Sequence, residues 1–154
     1  MTALPVLDLP SAAVSARGAV WIAPPLGPSS SLAAAQVARL IEAGAAPGQP
    51  VTLVAAGSRD PAAGADLAAA ADLLRGIWGG PVRVATVTDR NVLDVVRPGD
   101  AVSPYLLAPG FFSRQVQALA ASAGASVVAD VLGAHPAVVE LVGERFRAAA
   151  AVGV

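Results

Sequence analysis

Short apolar runs alternate with segments of helical periodicity along most of this 154-residue sequence. Each run has the length and composition of a strand, and apolar residues then recur every three or four positions. The runs are 19–27, 50–57, 81–87, 101–110 and 126–133. Because the connections are short and parallel strands need crossover helices, this order predicts an α/β fold. We expect an open parallel sheet with helices on both faces.

Five helices are predicted between and after these strands, each with an apolar stripe that faces the sheet. They cover 30–43, about 60–78, a short segment near 89–96, 112–123 and 136–149. The first two stripes are Ala33, Val37, Leu40 and Ile41, then Leu67, Ala71, Leu74 and Trp78. The other three are Val92, Leu93 and Val96, then Val116, Leu119 and Ala123, and finally Val138, Leu141, Val142 and Phe146.

Composition excludes several classes of chemistry. The chain has no cysteine, so it can hold neither a disulfide nor a thiolate-bound metal. Its ten basic residues are all arginine, which excludes lysine Schiff-base chemistry and a P-loop lysine. A net charge of −1 argues against a basic nucleic-acid surface, and we predict no nucleic-acid partner. Neither Gly-x-Ser-x-Gly nor Gly-x-Gly-x-x-Gly occurs.

The amino-terminal residues 1–16, "MTALPVLDLPSAAVSA", lack the basic start and unbroken apolar stretch of a signal peptide. We interpret them as a leader or arm. Every longer apolar run is interrupted by glycine, proline or a charge, so no membrane association is predicted. These features, with the absence of cysteine, predict a cytoplasmic protein.

A faint internal repeat relates the two ends of the chain. Residues 23–40, "APPLGPSSSLAAAQVARL", align without gaps on 129–146, "ADVLGAHPAVVELVGERF". Both copies read as the end of a strand, Leu-Gly and a helix. We therefore predict one α/β domain over 17–154, in which 19–46 is the closing strand–helix unit of a preceding module and 51–150 is a complete module.

Polar residues follow the predicted strands at their carboxyl ends. Ser58, Arg59 and Asp60 follow one strand, and Thr88, Asp89 and Arg90 follow the next. Ser113, Arg114 and His135 come after the last two. In open parallel sheets, ligands bind beyond the carboxyl ends of the strands. The sequence therefore predicts that the site lies along this edge.

Three motifs together resemble the sirohydrochlorin chelatase family of class II chelatases, which are cobalto- or ferrochelatases of cobalamin and siroheme synthesis. They are "AAGSRDPAA", "PYLLAPGFF" and "LGAHPAVVELVGERF", and the similarity covers about residues 19–150. It is closest to the carboxyl-terminal half of two-module members. The resemblance implies a flavodoxin-like parallel sheet, a tetrapyrrole cleft at the strand ends, and cobalt or iron as a metal substrate without a tightly bound cofactor.

The sequence departs from this family where its members carry two histidines. Ala56 stands at the first position, and Ser113 lies in the neighbourhood of the second. Imidazole can accept pyrrole protons and ligate a divalent cation, whereas alanine can do neither and serine does both poorly. The catalytic and metal-binding residues are therefore left unassigned.

The predicted substrate-binding residues are Gly57, Ser58, Arg59, Phe112, Ser113, Arg114 and His135. Structural roles compete with this function: Asp60 and Pro61 fit a helix start, and His135 and Ser113 fit caps. Arg59 fits a carboxylate receptor. A metal at His135 would need help from Asp60, Asp89 or Asp130, and nothing in the spacing of these residues demands one. Phe111 and Phe112 could stack on a macrocycle, while Tyr105, Trp21 and Trp78 are assigned to the core.

Two functions remain open at this stage. The first is a chelatase that inserts cobalt or iron into a polycarboxylate tetrapyrrole. The second is a non-catalytic tetrapyrrole-binding or partner module. Because the chain resembles half of a larger protein, we expect a homodimer or pairing with a catalytic chelatase module under either hypothesis.

Overall fold

The computed structural model describes residues 22–152. Four parallel strands form one sheet in the order β2-β1-β3-β4. They are β1 (Val51–Ala55), β2 (Val82–Thr86), β3 (Ala101–Pro104) and β4 (Val127–Val128). The helices are α1 (Ser30–Glu42), α2 (Pro61–Trp78), α3 (Val92–Val95), α4 (Phe111–Ser122) and α5 (Pro136–Val152). The predicted α/β class, the parallel sheet and the order of these elements are confirmed.

The helices lie in two layers. The chain passes from β1 to β2 in one direction across the sheet, and from β2 through β3 to β4 in the other. Since such crossovers are right-handed, α2 lies on one face while α3 and α4 lie on the opposite face. Helix α1 packs between α2 and α5 on the first face and contacts β3. All five residues of β1 are buried, so this strand lies at the centre of the core.

Helix boundaries follow local chemistry. The Asp60 carboxylate accepts the Ala62 N–H at the start of α2, and Pro61 occupies the first helical position. Gly79 ends α2 in the left-handed conformation, at φ 77°. Ser29 Oγ accepts the Ser31 N–H at the start of α1. Trp78 is buried as predicted, and its indole N–H donates to Gln49 O over 2.8 Å.

The predicted first strand is wrong over its described part. Residues 22–29 contain no strand, and the sheet has four strands within the described part of the chain. Pro24, Pro25 and Pro28 lack the N–H that a ladder needs, which explains the irregular backbone. The remainder of this predicted strand, Trp21 included, and the arm at 1–16 lie outside the described residues.

Four residues predicted to face inward are exposed instead. Ile41, Leu93, Val142 and Phe146 are 59%, 51%, 48% and 65% exposed. The stripe on α5 that packs inward consists of Val138, Leu141 and Ala149, which is rotated from the predicted one. Helical periodicity alone does not show which of two adjacent apolar stripes contacts the rest of the molecule.

The predicted strands at 101–110 and 126–133 are also longer than the observed ones. Beyond β3 and β4 the chain continues as a hydrogen-bonded loop pair, with Leu132 N donating to Leu106 O and Gly133 N to Leu107 O. This pairing brings the loop before α4 beside the loop before α5, at the carboxyl edge of the sheet.

Candidate functional site

The loop after β1 carries the first group of predicted site residues. Ala56 is buried, whereas Ser58, Arg59 and Asp60 are exposed. Gly57 adopts φ +104°, and a Cβ on it would lie 1.7 Å from Thr88 Oγ1. Glycine is therefore required here both for backbone conformation and for close approach to the next loop. The Asp60 N–H donates to Ser58 Oγ over 3.1 Å, so Ser58 and Asp60 have the structural roles of a turn and a helix cap.

The loop after β2 lies directly against this first loop. Val87 N donates to Ala55 O and Thr88 N to Ala56 O, which extends the β1–β2 pairing past the strand ends. Thr86 Oγ1 donates to Asp89 Oδ2 over 2.6 Å, so the Asp89 carboxylate is engaged within its own loop. Arg90 has φ 54°, an uncommon conformation for a residue with a side chain. Its side chain is exposed at the end of this loop.

The loop after β3 presents two aromatic side chains at the start of α4. Phe111 and Phe112 are 62% and 40% exposed, and their rings meet edge to face with centroids 5.6 Å apart. Ser113 is 6% exposed. Its hydroxyl donates to Gly110 O and accepts the Gly110 N–H, both over 2.8 Å. This hydroxyl therefore fixes the start of α4, and its hydrogen bonds are internal to that turn.

His135 precedes α5 and acts as a cap. Its Nδ1 accepts the Ala137 N–H over 3.1 Å, so the neutral ring carries its proton on Nε2. A ring in this tautomer has no free lone pair for a metal. Within residues 22–152 no group of three or more histidine, aspartate or glutamate side chains is placed to hold a metal ion. The arrangement agrees with the cap that the sequence predicted as an alternative.

A cavity of about 480 Å³ opens at the carboxyl edge of the sheet between α3 and α4. Its polar lining comes from Thr88, Arg90 and Gln115. The apolar lining consists of Val87, Val92, Leu93, Phe112 and Leu119. Its volume is typical of small-molecule sites, and one cation beside an apolar wall suits an amphipathic anion. We refer to it below as the α3–α4 cavity.

The α3–α4 cavity brings together only part of the predicted site. Phe112 lines it, and Gly57 lies directly against Thr88, which is also a lining residue. Ser58, Arg59, Ser113, Arg114 and His135 are not among its lining residues, so their binding roles stay predictions. Sequence reasoning missed Gln115 and assigned Leu93 to the core. The signal for Leu93 was weak because α3 is only four residues long, too short for a reliable stripe.

Tyr105 lies at the end of β3 and is 2% exposed, which places it in the core as predicted. Its hydroxyl has no hydrogen-bond partner among the described residues. Burial, and then the negative charge of Asp66, raise the pKa of Tyr105 well above its usual 10.0. The phenol therefore stays protonated at neutral pH and cannot serve there as a base.

Comparison with known proteins decides the family. Residues 50–149 match the family model CbiX. The chain belongs to the CbiX family. Two solved structures share the fold: the sirohydrochlorin chelatase SirB from Bacillus subtilis subspecies spizizenii in complex with cobalt, and SirB from Bacillus subtilis with Fe3+. The predicted resemblance to sirohydrochlorin chelatases is confirmed.

The match to SirB is partial in length. The cobalt complex is 26% identical with a TM-score of 0.65, and 82% of this CbiX chain covers 53% of it. The Fe3+ structure is 19% identical with a TM-score of 0.69, and 82% of this chain covers 56% of it. The chain thus spans slightly more than half the length of either SirB chain. No curated protein sequence matches it significantly. Over residues 22–152, no helix has the length and hydropathy needed to cross a bilayer.

Proposed function

We propose that this CbiX-family protein is a sirohydrochlorin chelatase-like protein of tetrapyrrole metabolism. It binds a polycarboxylate tetrapyrrole at the carboxyl edge of its sheet, with cobalt or iron as the metal substrate. The observation that carries the proposal is the α3–α4 cavity, in which Arg90 lies beside an apolar wall. The match to the CbiX family indicates which class of anion to expect there. SirB was solved with cobalt and with Fe3+, which supports these two metals.

The side chains at this edge suit both parts of such a ligand, its carboxylates and its flat apolar ring. A guanidinium pairs with a carboxylate through charge-assisted hydrogen bonds, and Arg90 offers one within the cavity. Phe112 and Leu93 are half-exposed apolar surfaces against which a flat ring can pack. Arg59 is exposed on the loop after β1 and Arg114 in the first turn of α4, and both are proposed as receptors for further carboxylates. Gly57 allows the first loop to lie against Thr88, which lines the cavity.

Metal insertion also needs a group that accepts the pyrrole protons and one that delivers the ion. Ala56 is buried and has no such group, and the Ser113 hydroxyl is occupied by Gly110. His135 uses its free lone pair on a backbone N–H. We therefore propose that insertion takes place in a composite cleft, to which a second chain contributes imidazole. That second chain is either another copy, which contributes its own His135 after release from the cap, or a catalytic chelatase module.

The same three observations favour a second candidate function. In this alternative the protein binds the tetrapyrrole, or supports a catalytic partner, without performing insertion. It requires the α3–α4 cavity and the arginines but no base and no metal ligand. The two candidates share the ligand and differ only in chemistry.

One assay separates the two candidates. Purified protein is mixed with sirohydrochlorin and Co2+ or Fe2+, and the absorbance spectrum is followed against a protein-free control. Metallation faster than the control supports the chelatase. A shift of the macrocycle spectrum on binding, without faster metallation, supports the binding module. If the protein changes neither the spectrum nor the rate, both candidates are wrong.

A further inference from the structure

The polar lining of the α3–α4 cavity matches the periphery of a carboxylate ligand. Among the described residues that line it, Arg90 alone is charged, and it forms no ion pair within residues 22–152. The other two polar lining residues, Thr88 and Gln115, are neutral. A guanidinium of this kind selects carboxylates through charge-assisted hydrogen bonds. In the tetrapyrrole of the proposed function, on which this inference rests, the carboxylates lie at the rim of the macrocycle.

The size of the cavity indicates that it takes one edge of the macrocycle. Its volume of about 480 Å³ suits a drug-sized ligand. A single pyrrole ring with its acid side chains fits this volume, whereas four linked rings with theirs are larger. Leu93 and Phe112 are 51% and 40% exposed, so they form the mouth of the cavity and not its depth. The centre of the macrocycle, where a metal is bound, therefore stays outside.

The side chains of the lining are poorly suited to ligate cobalt or iron. Imidazole is the usual protein ligand of iron and its neighbours among the first-row metals, whereas neutral oxygen donors suit magnesium, calcium and manganese. The lone pairs available on lining side chains belong to the Thr88 hydroxyl and the Gln115 amide oxygen. His135, the one histidine of the chain, is not a lining residue, and its Nδ1 accepts the Ala137 N–H. The cavity thus contacts the ligand without contacting its metal.

Metal insertion leaves the contacted parts of the ligand unchanged. A divalent cation replaces two pyrrole protons, so the net charge of the macrocycle is the same before and after. The carboxylates at the rim are not altered, and neither is the flat ring that packs against Phe112. We propose that the α3–α4 cavity binds the metal-free and the metallated tetrapyrrole equally well. Insertion does not then release the macrocycle, and this chain retains the product as well as the substrate.

Equilibrium dialysis compares the two forms directly, because the absorbance of the macrocycle reports its concentration on each side of the membrane. The full chain is dialysed without oxygen against metal-free sirohydrochlorin and, separately, against its preformed Co2+ complex. The two dissociation constants should agree within about threefold, since all contacts are shared. A larger difference in either direction overturns the inference and leaves the proposed function standing. If neither form binds, the proposed function is wrong, and the inference with it.

Three variants test where the contacts lie. Arg90→Gln should raise both dissociation constants by the same factor, about tenfold, because both forms lose the same carboxylate contact. Gln115→Leu should leave the ratio of the two constants unchanged. The control Arg97→Gln, which removes an exposed arginine at the amino edge, should change neither constant. Circular dichroism checks that each variant is folded. A variant that weakens only the metallated form would show a contact to the metal and would contradict the inference.

Discussion

Gly57 sets how closely the first two loops of the site can approach. Its φ of +104° is costly for any other residue, and an added Cβ would overlap Thr88 Oγ1. We expect Gly57→Ala to lower the free energy of unfolding by about 2 kcal/mol or more, from backbone strain and overpacking together. Urea denaturation measures this loss.

Gly64→Ala is the matched control for that substitution. Gly64 lies within α2, and a Cβ there would meet nothing within 4 Å. Alanine in place of glycine inside a helix should raise stability by about 0.5–1 kcal/mol. If both alanine variants have the same stability, the close approach of the two loops is not what requires glycine at position 57.

Tyr105 makes a separate residue-scale prediction about alkaline pH. The chain has one tyrosine, no cysteine and no lysine, so Tyr105 is the only side chain that titrates between about pH 9 and 12. Its pKa is raised in the folded protein, and the unfolded chain therefore loses this proton first. Stability should be independent of this group below pH 10 and fall above it by up to about 1.4 kcal/mol per pH unit.

Tyr105→Phe should abolish this alkaline decline. At neutral pH the same substitution should change the free energy of unfolding by no more than about 1 kcal/mol, because the buried hydroxyl has no hydrogen-bond partner among residues 22–152 to lose. Guanidinium unfolding at a series of pH values from 8 to about 11 gives both results. An unchanged alkaline decline in Tyr105→Phe would contradict the role of this phenol.

At the scale of secondary-structure elements, Asp100 joins the amino ends of three strands. It is 3% exposed and precedes β3. Its Oδ2 accepts the Thr52 hydroxyl of β1 over 3.1 Å and the Arg97 N–H over 2.9 Å, and it also pairs with Arg83 of β2. A buried carboxylate of this kind stabilises the fold only while its cationic partner and its donors are present.

Asp100→Asn should therefore lower the free energy of unfolding by about 3 kcal/mol, because it leaves Arg83 unpaired where it is mostly buried. Asp72→Asn is the control: Asp72 pairs with Arg75, but its side chain is 74% exposed. That variant should stay within about 0.5 kcal/mol of the wild type. Equal losses in thermal or chemical unfolding would mean that burial does not distinguish the two ion pairs.

The sequence predicted the positions of the helices and strands far better than it predicted which side of each helix is buried or which residues line the cavity. The periodicity over 61–78, together with Asp60-Pro61 at the start and Gly79 after the end, predicted the bounds of α2 almost to the residue. The proline-containing run at 19–27 has the apolar content of a strand, and only its missing N–H groups argued against one. Val142 and Phe146 were assigned to the wrong face because α5 has two apolar stripes, and periodicity cannot choose between them. Phe112 was predicted as a site residue and lines the α3–α4 cavity, whereas Gln115 lines it without having been predicted, since its position depends on how α3 and α4 pack.

At the scale of the whole molecule, the amino edge of the sheet stabilises the fold, whereas the carboxyl edge carries the proposed binding site. Asp100, Arg83 and Thr52 stabilise the amino edge through buried hydrogen bonds. At the carboxyl edge, Arg59 and Arg90 on the loops and Phe112 at the start of α4 are exposed instead. Stability and binding are therefore expected to separate by edge. The proposed function requires that a tetrapyrrole binds at the carboxyl edge only.

Titration of sirohydrochlorin with arginine variants from the two edges tests this requirement most directly. Arg90→Gln removes the cation of the α3–α4 cavity, and Arg97→Gln removes an exposed arginine at the amino edge. Loss of a charge-assisted hydrogen bond should raise the dissociation constant of Arg90→Gln by about tenfold or more, with Arg97→Gln unchanged. The absorbance of the macrocycle reports both values. Wild-type protein that leaves the spectrum unchanged, or equal weakening in the two variants, would contradict the account.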